Sequence, residues 1–197
     1  RAGYTVHMVE ATAKNSKITT PDDLEEARLR LEPALALAER VGTAYDLHRL
    51  VEGRPLLLGG VEIPAPRGAM GHSDADVVCH VATDAILGAA SLGDIGRHFP
   101  DSDERWKGAS SVDLLRRAVA MVQAAGFTVV NLDVVVILER PKIAPYLDAI
   151  RRTLAAALSV PVERVSVKGK TNEGVDALGR GEAIAAHAVV LLARHRT

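Results

Sequence analysis

The stretch that decides the fold runs from Tyr45 to His80 and contains three segments, YDLHRL at 45–50, LLLGGVEIP at 56–64 and GHSDADVVCH at 71–80. Asp46 and His48 lie at the end of a predicted strand. Because the side chains of a strand alternate between its two faces, residues two apart point in the same direction. The carboxylate and the imidazole therefore project side by side, as two ligands of one small cation must.

His80 supplies the third candidate ligand. It lies on a predicted helix that opens at Ser73, with Asp76 one turn before it. Two ligands from a strand and one from a helix leave a fourth position open, which is typical of a catalytic rather than a structural zinc site. Taken singly, these residues have other interpretations: His48 as a surface residue, Asp46 as a turn former, and His80 as a core histidine that bonds to Asp76.

Size and composition narrow the class of protein. The chain has 197 residues, of which 48% are hydrophobic, which is enough for one packed domain and an appendage. A net charge of −1 and 3% aromatic residues argue against a nucleic-acid binder. The sequence has no apolar run of membrane-spanning length and no signal peptide, so we expect no membrane partner. The single cysteine, Cys79, cannot form an internal disulfide, and this favours a cytoplasmic location. We interpret Cys79 as a small buried residue rather than as a metal ligand.

Hydrophobic periodicity predicts an α+β fold. We expect a strand over 41–46 with a hairpin partner over 55–60, then a helix from Ser73 and a long loop over 88–103. The remaining predicted elements are helices over 110–125 and 142–158 and strands over 128–138, 162–168 and 183–193, the last closing the sheet. The order ββααβαββ predicts a two-layer sandwich, with a mixed sheet of four to five strands and helices on one face. The 128–138 strand is apolar enough to be buried on both faces or at a subunit contact.

The N-terminal part differs from the rest. The chain begins at Arg1 without a methionine, so we expect it to be a piece of something longer. Residues 4–9 alternate like a short strand, and 17–31 predict a helix with Thr20 as N-cap and Pro21 in its first turn.

Two parts of the sequence each resemble a known enzyme family. The three opening segments, followed by TDAILGAASLGDIGRHFPDSD at 83–103 and WKG at 106–108, resemble the 2-C-methyl-D-erythritol 2,4-cyclodiphosphate synthases of non-mevalonate isoprenoid biosynthesis. Residues 6–27, VHMVEATAKNSKITTPDDLEEA, resemble the C-terminal tail of the 4-diphosphocytidyl-2-C-methyl-D-erythritol cytidylyltransferases. Together they imply a cyclase domain over 40–197, fused in the full-length chain to a cytidylyltransferase of which residues 1–39 are a remnant and linker without chemistry of their own.

The first resemblance implies a reaction and an assembly. The substrate is a cytidine diphosphate derivative whose 2-phosphate attacks its own β-phosphorus, so that CMP leaves and a cyclic diphosphate remains. Such chemistry requires positioning and charge neutralisation rather than a protein nucleophile. The family also implies a homotrimer with active sites between neighbours, for which the apolar 129–138 strand is a plausible packing surface.

The resemblance also assigns site residues. Asp46, His48 and His80 match the ligands of Zn²⁺, and Glu173 matches a ligand of Mg²⁺ or Mn²⁺ bridging the substrate diphosphate. His72 and Thr171 match catalytic residues that stabilise the transition state, although a loop histidine and an exposed turn explain them equally well from spacing alone. The matched substrate-binding residues are Ser73, Asp94, Ile95, Gly96, Phe99, Pro100, Asp101, Ser102, Asp103, Leu138, Pro141, Lys142, Ile143, Ala144, Lys170, Asn172 and Arg180. We expect Ser73 to offer its backbone N–H at a helix start, which favours an anion.

Two departures from the family pattern and two rival functions remain. Gly42-Thr43-Ala44 stands where relatives often have Gly-His-Gly, and Ala177 stands where many have an aromatic residue, which puts a contact near Ala177 in doubt. A metal-dependent phosphohydrolase would also use an open zinc site, and its product would be free phosphate. A non-catalytic subunit of a fused enzyme would be expected to have lost ligands, whereas all three are present.

Overall fold

The structure is a computed structural model that describes residues 17–27 and 39–194. The chain divides into two units between residues 37 and 38. In the first unit, helix α1 is described over 21–27, and the Thr20 hydroxyl accepts the N–H of Asp23 at 3.1 Å, which confirms Thr20 as N-cap. The predicted 4–9 strand and the end of the predicted helix lie outside the described residues.

The second unit is built on a five-stranded sheet. Its strands are β1 (Arg40–Glu52), β4 (Arg67–Ala69), β5 (Phe127–Ile137), β6 (Val165–Lys170) and β7 (Ala183–Arg194), while β2 (Leu56–Leu58) and β3 (Val61–Ile63) form a separate hairpin. The spatial order is β4-β1-β7-β5-β6. Only β5 and β6 pair in parallel, so the sheet is mixed, as predicted.

The helices cover one face of this sheet. They are α2 (Val77–Ala89), α3 (Ile95–His98), α4 (Ser111–Ala124), α5 (Leu147–Leu158) and α6 (Asp176–Gly179), with 3₁₀ turns at Glu104–Trp106, Ala144–Tyr146 and Val162–Arg164. Helix α2 packs against β1, β5, β7 and α4, and α5 packs against β6 and α4. The predicted two-layer α+β sandwich is confirmed.

Strand alternation decides which residues form the core. In β1 the even-numbered residues, from Gly42 to Leu50, face the helices, and in β5 the buried residues are Phe127, Leu132, Val134 and Val136. The opposite face of the sheet is also apolar but half-exposed. Its large residues Val41, Tyr45, Leu47 and Val189 are each between 47% and 67% exposed. Within one chain, strand β5 is therefore buried on its helix-facing side but not on the opposite side.

The predicted first hairpin is wrong. Strand β1 continues to Glu52, so Asp46 and His48 lie within it rather than at its end, and it pairs with β4 and β7. The 55–60 segment instead contributes β2, which turns back onto β3. The physical reason is Gly59-Gly60, whose φ angles of +57° and +76° suit a two-residue hairpin turn.

The predicted start of α2 at Ser73 is also wrong. The helix begins at Val77, because the Asp76 carboxylate caps it and accepts the N–H groups of Val78 and Cys79 at 3.1 Å. Three smaller differences concern the later elements: the 88–103 loop contains α3, the 142–158 helix starts as a 3₁₀ turn before Leu147, and β7 lies in the middle of the sheet rather than closing it.

Candidate functional site

Asp46, His48 and His80 converge on one point between β1 and α2. Asp46 and His48 are on the helix-facing side of β1, and His80 lies in the first turn of α2, which packs over that strand. Among the residues that the structure describes, these three form the one cluster of His, Cys, Asp and Glu that could hold a metal ion. The side chains are 12% to 28% exposed, so the point is reachable from solvent.

The geometry of the three donor atoms fits a small tetrahedral cation. Asp46 Oδ2 lies 2.9 Å from His48 Nε2 and 3.0 Å from His80 Nδ1, and the two nitrogens are 3.1 Å apart. Tetrahedral zinc with bonds of about 2.0–2.1 Å places its ligand atoms roughly 3.3 Å apart. A slight opening of the cluster therefore accommodates the ion, and a fourth position remains for a substrate oxygen.

Neighbouring backbone groups orient the two ligands from β1. His48 Nδ1 lies 2.9 Å from the carbonyl oxygen of Met70, which can only accept, so Nδ1 carries the proton and the Nε2 lone pair faces the cluster. The N–H of Leu47 donates to Asp46 Oδ1 at 2.8 Å, which leaves Oδ2 for the cluster. Gly71 lies close by, since a Cβ there would be 3.4 Å from the His48 ring.

The electrostatics of the cluster favour an ionised carboxylate. When no cation is bound, burial raises the pKa of Asp46, but hydrogen bonds and charge interactions with the protons of His48 and His80 outweigh it and hold that pKa far below its usual value. A bound cation would take the place of those protons and face the two nitrogen lone pairs instead. Burial lowers the pKa of His48, whereas its contact with Asp46 raises it, and the net shift is upward. A concentrated negative charge beside two imidazoles is the environment that a divalent cation requires.

A cavity of about 320 Å³ opens beside His80. It brings together eight residues that the sequence placed in the site; its remaining lining residues are Trp106 and Leu114. The eight are His72, Ser73, His80, Ile95, Gly96, Phe99, Pro100 and Asp101. The lining thus combines aromatic and aliphatic side chains with two imidazoles and a carboxylate, which offers a bound molecule both apolar and polar contacts.

A second group of predicted residues surrounds the loop after β5. Leu138, Pro141, Lys142, Ile143, Ala144, Lys170 and Thr171 all line a cavity of about 240 Å³. Pro141, Lys142, Thr171 and Arg180 also line a larger, open cavity of about 1140 Å³. Neither cavity shares a lining residue with the cavity at His80.

The other predicted residues make local contacts. Asp94 caps α3 by accepting the N–H of Arg97 at 2.8 Å, and Asp103 pairs with Arg105 at 2.6 Å. Ser102 is exposed beside it. Arg180 forms a two-pronged ion pair with Glu182, at 2.9 and 3.0 Å.

The KTNEG loop likewise keeps its partners within the loop and its surroundings. The Thr171 hydroxyl donates to Glu173 at 2.7 Å, and the Asn172 side chain donates to the carbonyl of Val175 at 2.9 Å. Glu173 is exposed, has a φ of +51° and does not belong to the Asp46 cluster within one chain.

Sequence reasoning missed four contributors: the Met70 carbonyl, Asp74, Ser111 and Trp106. A backbone carbonyl carries no sequence signal, and Ser111 is distant in sequence from His80. Asp74 lies within the GHSDADVVCH segment, but only Asp76 has the i−4 spacing to His80 that predicts a contact along a helix. Trp106 meets Phe99 edge-on, with ring centroids 5.1 Å apart, inside the cavity at His80.

The comparison with protein families matches residues 39–193 to the YgbB family. A protein of Anaeromyxobacter sp. (strain Fw109-5) named bifunctional enzyme IspD/IspF is 54% identical over 194 residues, which are 98% of this chain and 49% of that protein. The chain thus spans about half the length of that relative. A Chromobacterium violaceum protein named 2-C-methyl-D-erythritol 2,4-cyclodiphosphate synthase is 59% identical over 155 residues, 79% of this chain and 98% of that protein.

Solved structures with similar folds carry the same names as these relatives. The bifunctional IspDF from Campylobacter jejuni superposes with a TM-score of 0.78 at 40% identity, covering 80% of this chain and 43% of that one. A 2C-methyl-D-erythritol-2,4-cyclodiphosphate synthase in a CDP-bound form gives a TM-score of 0.72 at 44% identity, covering 78% of this chain and 99% of that one. No helix in the described part of this chain has the length and apolarity needed to cross a membrane.

Proposed function

Because the chain belongs to the YgbB family, we propose that it is a 2-C-methyl-D-erythritol 2,4-cyclodiphosphate synthase of non-mevalonate isoprenoid biosynthesis. It converts 4-diphosphocytidyl-2-C-methyl-D-erythritol 2-phosphate to the cyclic 2,4-diphosphate. A 2-phosphate oxygen forms a bond to the β-phosphorus, the bond from that phosphorus to the bridging oxygen of the CMP moiety breaks, and CMP leaves. The observation that carries the proposal is the convergence of Asp46, His48 and His80 beside a polyol-sized cavity.

The cluster is proposed to hold Zn²⁺. Its donor set of two imidazoles and a carboxylate is one that zinc takes in catalytic sites, and the donor distances of 2.9–3.1 Å suit it. When bound, zinc supplies Lewis-acid polarisation of a β-phosphate oxygen. Elemental analysis of the purified protein beside His80→Ala tests the assignment, and equal metal in both would remove His80 from the site.

Side chains around the cavity at His80 are proposed to hold the substrate. His72 and Ser73 receive the 2-phosphate, and the 94–103 segment binds the methylerythritol hydroxyls through its carboxylates. Phe99 and Trp106 form an apolar wall. Such a wall limits the access of water, and a cyclase must exclude water from the β-phosphorus.

The loop after β5 is proposed to bind cytidine. Leu138, Pro141, Ile143 and Ala144 supply apolar contacts and backbone groups, and Lys142 is placed to meet a phosphate. Glu173, with Thr171 bonded to it at 2.7 Å, is proposed to bind Mg²⁺ or Mn²⁺ bridging the α- and β-phosphates. One carboxylate plus phosphate oxygens is a common ligand set for magnesium.

A homotrimer is proposed as the working assembly. The cavities at His80 and at Lys142 share no lining residue within one chain, and in the proposed trimer a neighbouring copy brings the cytidine pocket to the zinc site. The half-exposed apolar face of the sheet supports such an association, because large patches of this kind mark interaction surfaces.

Fusion to a cytidylyltransferase is proposed for the full-length protein. The match to the bifunctional relative covers 98% of the chain, whereas the matches to single-function relatives cover 79%. The difference corresponds to the N-terminal residues that resemble a cytidylyltransferase tail.

Phosphorus NMR of the reaction with the diphosphocytidyl substrate tests the proposed activity. A cyclase yields CMP and a cyclic diphosphate in equal amounts. Free phosphate instead would favour a metal-dependent phosphohydrolase, and an unchanged substrate would favour a non-catalytic subunit. His80→Ala serves as the matched inactive control.

A further inference from the structure

The ring of His80 is held from the side opposite the metal cluster. Its Nε2 lies 3.0 Å from the hydroxyl oxygen of Ser73 and 3.0 Å from that of Ser111, the first residue of α4. Both serines are buried, at 8% and 0% exposure. Two hydroxyls from different parts of the chain therefore meet one imidazole nitrogen away from solvent.

Asp74 determines the direction of the hydrogen bond between Ser111 and His80. Its Oδ1 accepts the hydroxyl proton of Ser111, and its Oδ2 accepts the backbone N–H of Ser111 at 3.0 Å. An ionised carboxylate can only accept, so the Ser111 hydroxyl proton is committed to Asp74. The Ser111 oxygen is then left to accept the proton on His80 Nε2.

This direction assigns the tautomer of His80. A neutral imidazole carries one N–H, so with the proton on Nε2 the lone pair is on Nδ1. Nδ1 is the atom that lies 3.0 Å from Asp46 Oδ2 and 3.1 Å from His48 Nε2. The hydrogen bonds from Asp74 through Ser111 to His80 thus direct the Nδ1 lone pair of His80 into the cluster. The Met70 carbonyl has the same effect on the Nε2 lone pair of His48.

Backbone hydrogen bonds fix the positions of Asp74 and Ser111. The N–H of Asp74 donates to the carbonyl of Ala109 at 3.2 Å, and the N–H of Gly108 donates to the carbonyl of His72 at 3.0 Å. The beginning of α4 is thereby attached to the segment before α2. Asp74 and Ser111 consequently have little freedom to reorient when a cation enters or leaves.

We propose that Asp74 and Ser111 are positioning residues that act through His80, fixing its tautomer and ring orientation for the cation held with Asp46 and His48. The proposal rests on the metal site of the proposed function. Outer hydrogen-bond partners of this kind typically contribute about 10–100-fold to metal affinity.

The test measures metal affinity and does not depend on turnover. Chelator-treated protein is titrated with Zn²⁺ in competition with a chromophoric chelator, and with Co²⁺, whose visible absorption reports ligand geometry. Ser111→Ala and Asp74→Asn are expected to bind Zn²⁺ about 10–100-fold more weakly and to change the Co²⁺ spectrum. Ser111→Thr, which keeps the hydroxyl, should recover most of the affinity.

Two control variants separate positioning from general destabilisation. Ser110→Ala removes the adjacent serine, whose side chain makes no capping hydrogen bond. Thr83→Ala removes a buried hydroxyl of α2 that bonds to the carbonyl of Cys79 at 2.8 Å and lies three residues from His80. Both should keep the wild-type affinity and spectrum, even though Thr83→Ala lowers stability.

The outcomes distinguish this proposal from the one that it rests on. Wild-type affinity and spectrum in folded Ser111→Ala and Asp74→Asn would overturn the positioning role while leaving the metal site intact. A wild-type protein that takes up no metal would overturn the metal site, and the positioning role with it. If Ser111→Ala does not fold, Asp74→Asn, at a partly exposed position, decides alone.

Discussion

The buried carboxylate of Asp76 accepts hydrogen bonds from two separate segments of the backbone. Its carboxylate, fully buried, accepts N–H groups from Gly59 and Gly60 at 2.9 and 2.6 Å and from Val78 and Cys79 at 3.1 Å. One side chain therefore ties the β2–β3 turn to the start of the helix that carries His80.

Asp76→Ala is expected to destabilise the fold by at least about 3 kcal/mol, because several buried donors lose their acceptor at once. Urea unfolding at neutral pH measures the loss. Asp113→Ala, at an exposed position that pairs with Arg116 at 2.7 Å, is the control and should cost under about 1 kcal/mol. Similar losses in the two variants would contradict this account of Asp76.

Glu173→Gln should keep the fold and the zinc but lose about a hundredfold in turnover, because a charge-stabilising contact in phosphate chemistry contributes ~3 kcal/mol. The amide oxygen is a weaker ligand, so raising magnesium should restore part of the rate. Turnover of Glu173→Gln and of Glu163→Gln, an exposed glutamate in another turn, is compared at low and high magnesium. Unchanged turnover at low magnesium would place the second ion elsewhere.

The approach of Asp46 and His48 could be predicted from the sequence, because strand alternation places an Asp-x-His pair on one face of β1. The function of Asp76 could not, because capping depends on where the backbone turns rather than on spacing. Asp74 and Ser111 lie 37 residues apart and meet only through the packing of α4 against α2. A single sequence contains no periodic signal for such a contact.

At the scale of the elements, α2 lies unusually close to β1. A Cβ on Gly42 would lie 2.0 Å from the carbonyl oxygen of Ala85 and 2.8 Å from the Cβ of Ala89. Only glycine permits this approach, and the approach brings His80 within reach of Asp46 and His48.

Gly42→Ala is therefore expected to push the helix from the strand, at a cost of about 1–3 kcal/mol or more, and to weaken metal binding. Gly88→Ala is the control: Gly88 lies in α2, the helix that packs on Gly42, and a Cβ there would meet nothing within 4 Å. That change should stabilise the protein by about 0.5–1 kcal/mol, since alanine favours a helix over glycine. Thermal unfolding and zinc titration of both variants check the pair, and equal behaviour would be inconsistent with a close contact at Gly42.

The cross-strand pair of β5 and β6 gives a pH dependence. Lys168 Nζ lies 2.6 Å from Asp133 Oδ2, and although burial raises the pKa of Asp133, the hydrogen bonds from Lys168 and Ser166 lower it overall. A lowered folded pKa means that the pair stabilises the protein above the unfolded value of about 3.9 and loses this effect as the pH falls through the folded value.

Lys168→Met should accordingly cost only about 0.2–1 kcal/mol at neutral pH, because both side chains are more than a third exposed. The difference from wild type should shrink as the pH falls below about 4. Urea unfolding across this range measures it. A difference that stays constant with pH would mean that the lysine stem, rather than its charge, stabilises the sheet.

The elements themselves were mostly predictable, since the hydrophobic periods of α4, α5, β5 and β7 are long and regular. The pairing of β1 was not. A strand over 41–46 followed by a turn suggests a local hairpin, but the Gly59-Gly60 turn closes β2 onto β3 and leaves β1 to the distant β7. Register between distant strands is decided by packing that one sequence does not display.

At the scale of the whole molecule, the outer sheet face should determine assembly. Val189 on this face is 47% exposed in one chain. Val189→Lys is expected to shift a trimer toward monomer in native mass spectrometry at micromolar concentration, because a buried unpaired charge at an interface is costly. Ala120→Lys, on the exposed side of α4, should leave the trimer intact. A wild-type protein that is monomeric under these conditions would remove the basis for a shared active site.

Trp106 has a practical consequence for all of these experiments. It is the only tryptophan in the 197 residues, it lines the cavity at His80, and the guanidinium carbons of Arg105 and Arg117 lie 5.6 and 5.5 Å from its ring. Indole fluorescence from these 197 residues therefore originates beside the cavity at His80. The chain carries its own optical reporter, so that ligand entry can be followed in real time on unlabelled protein.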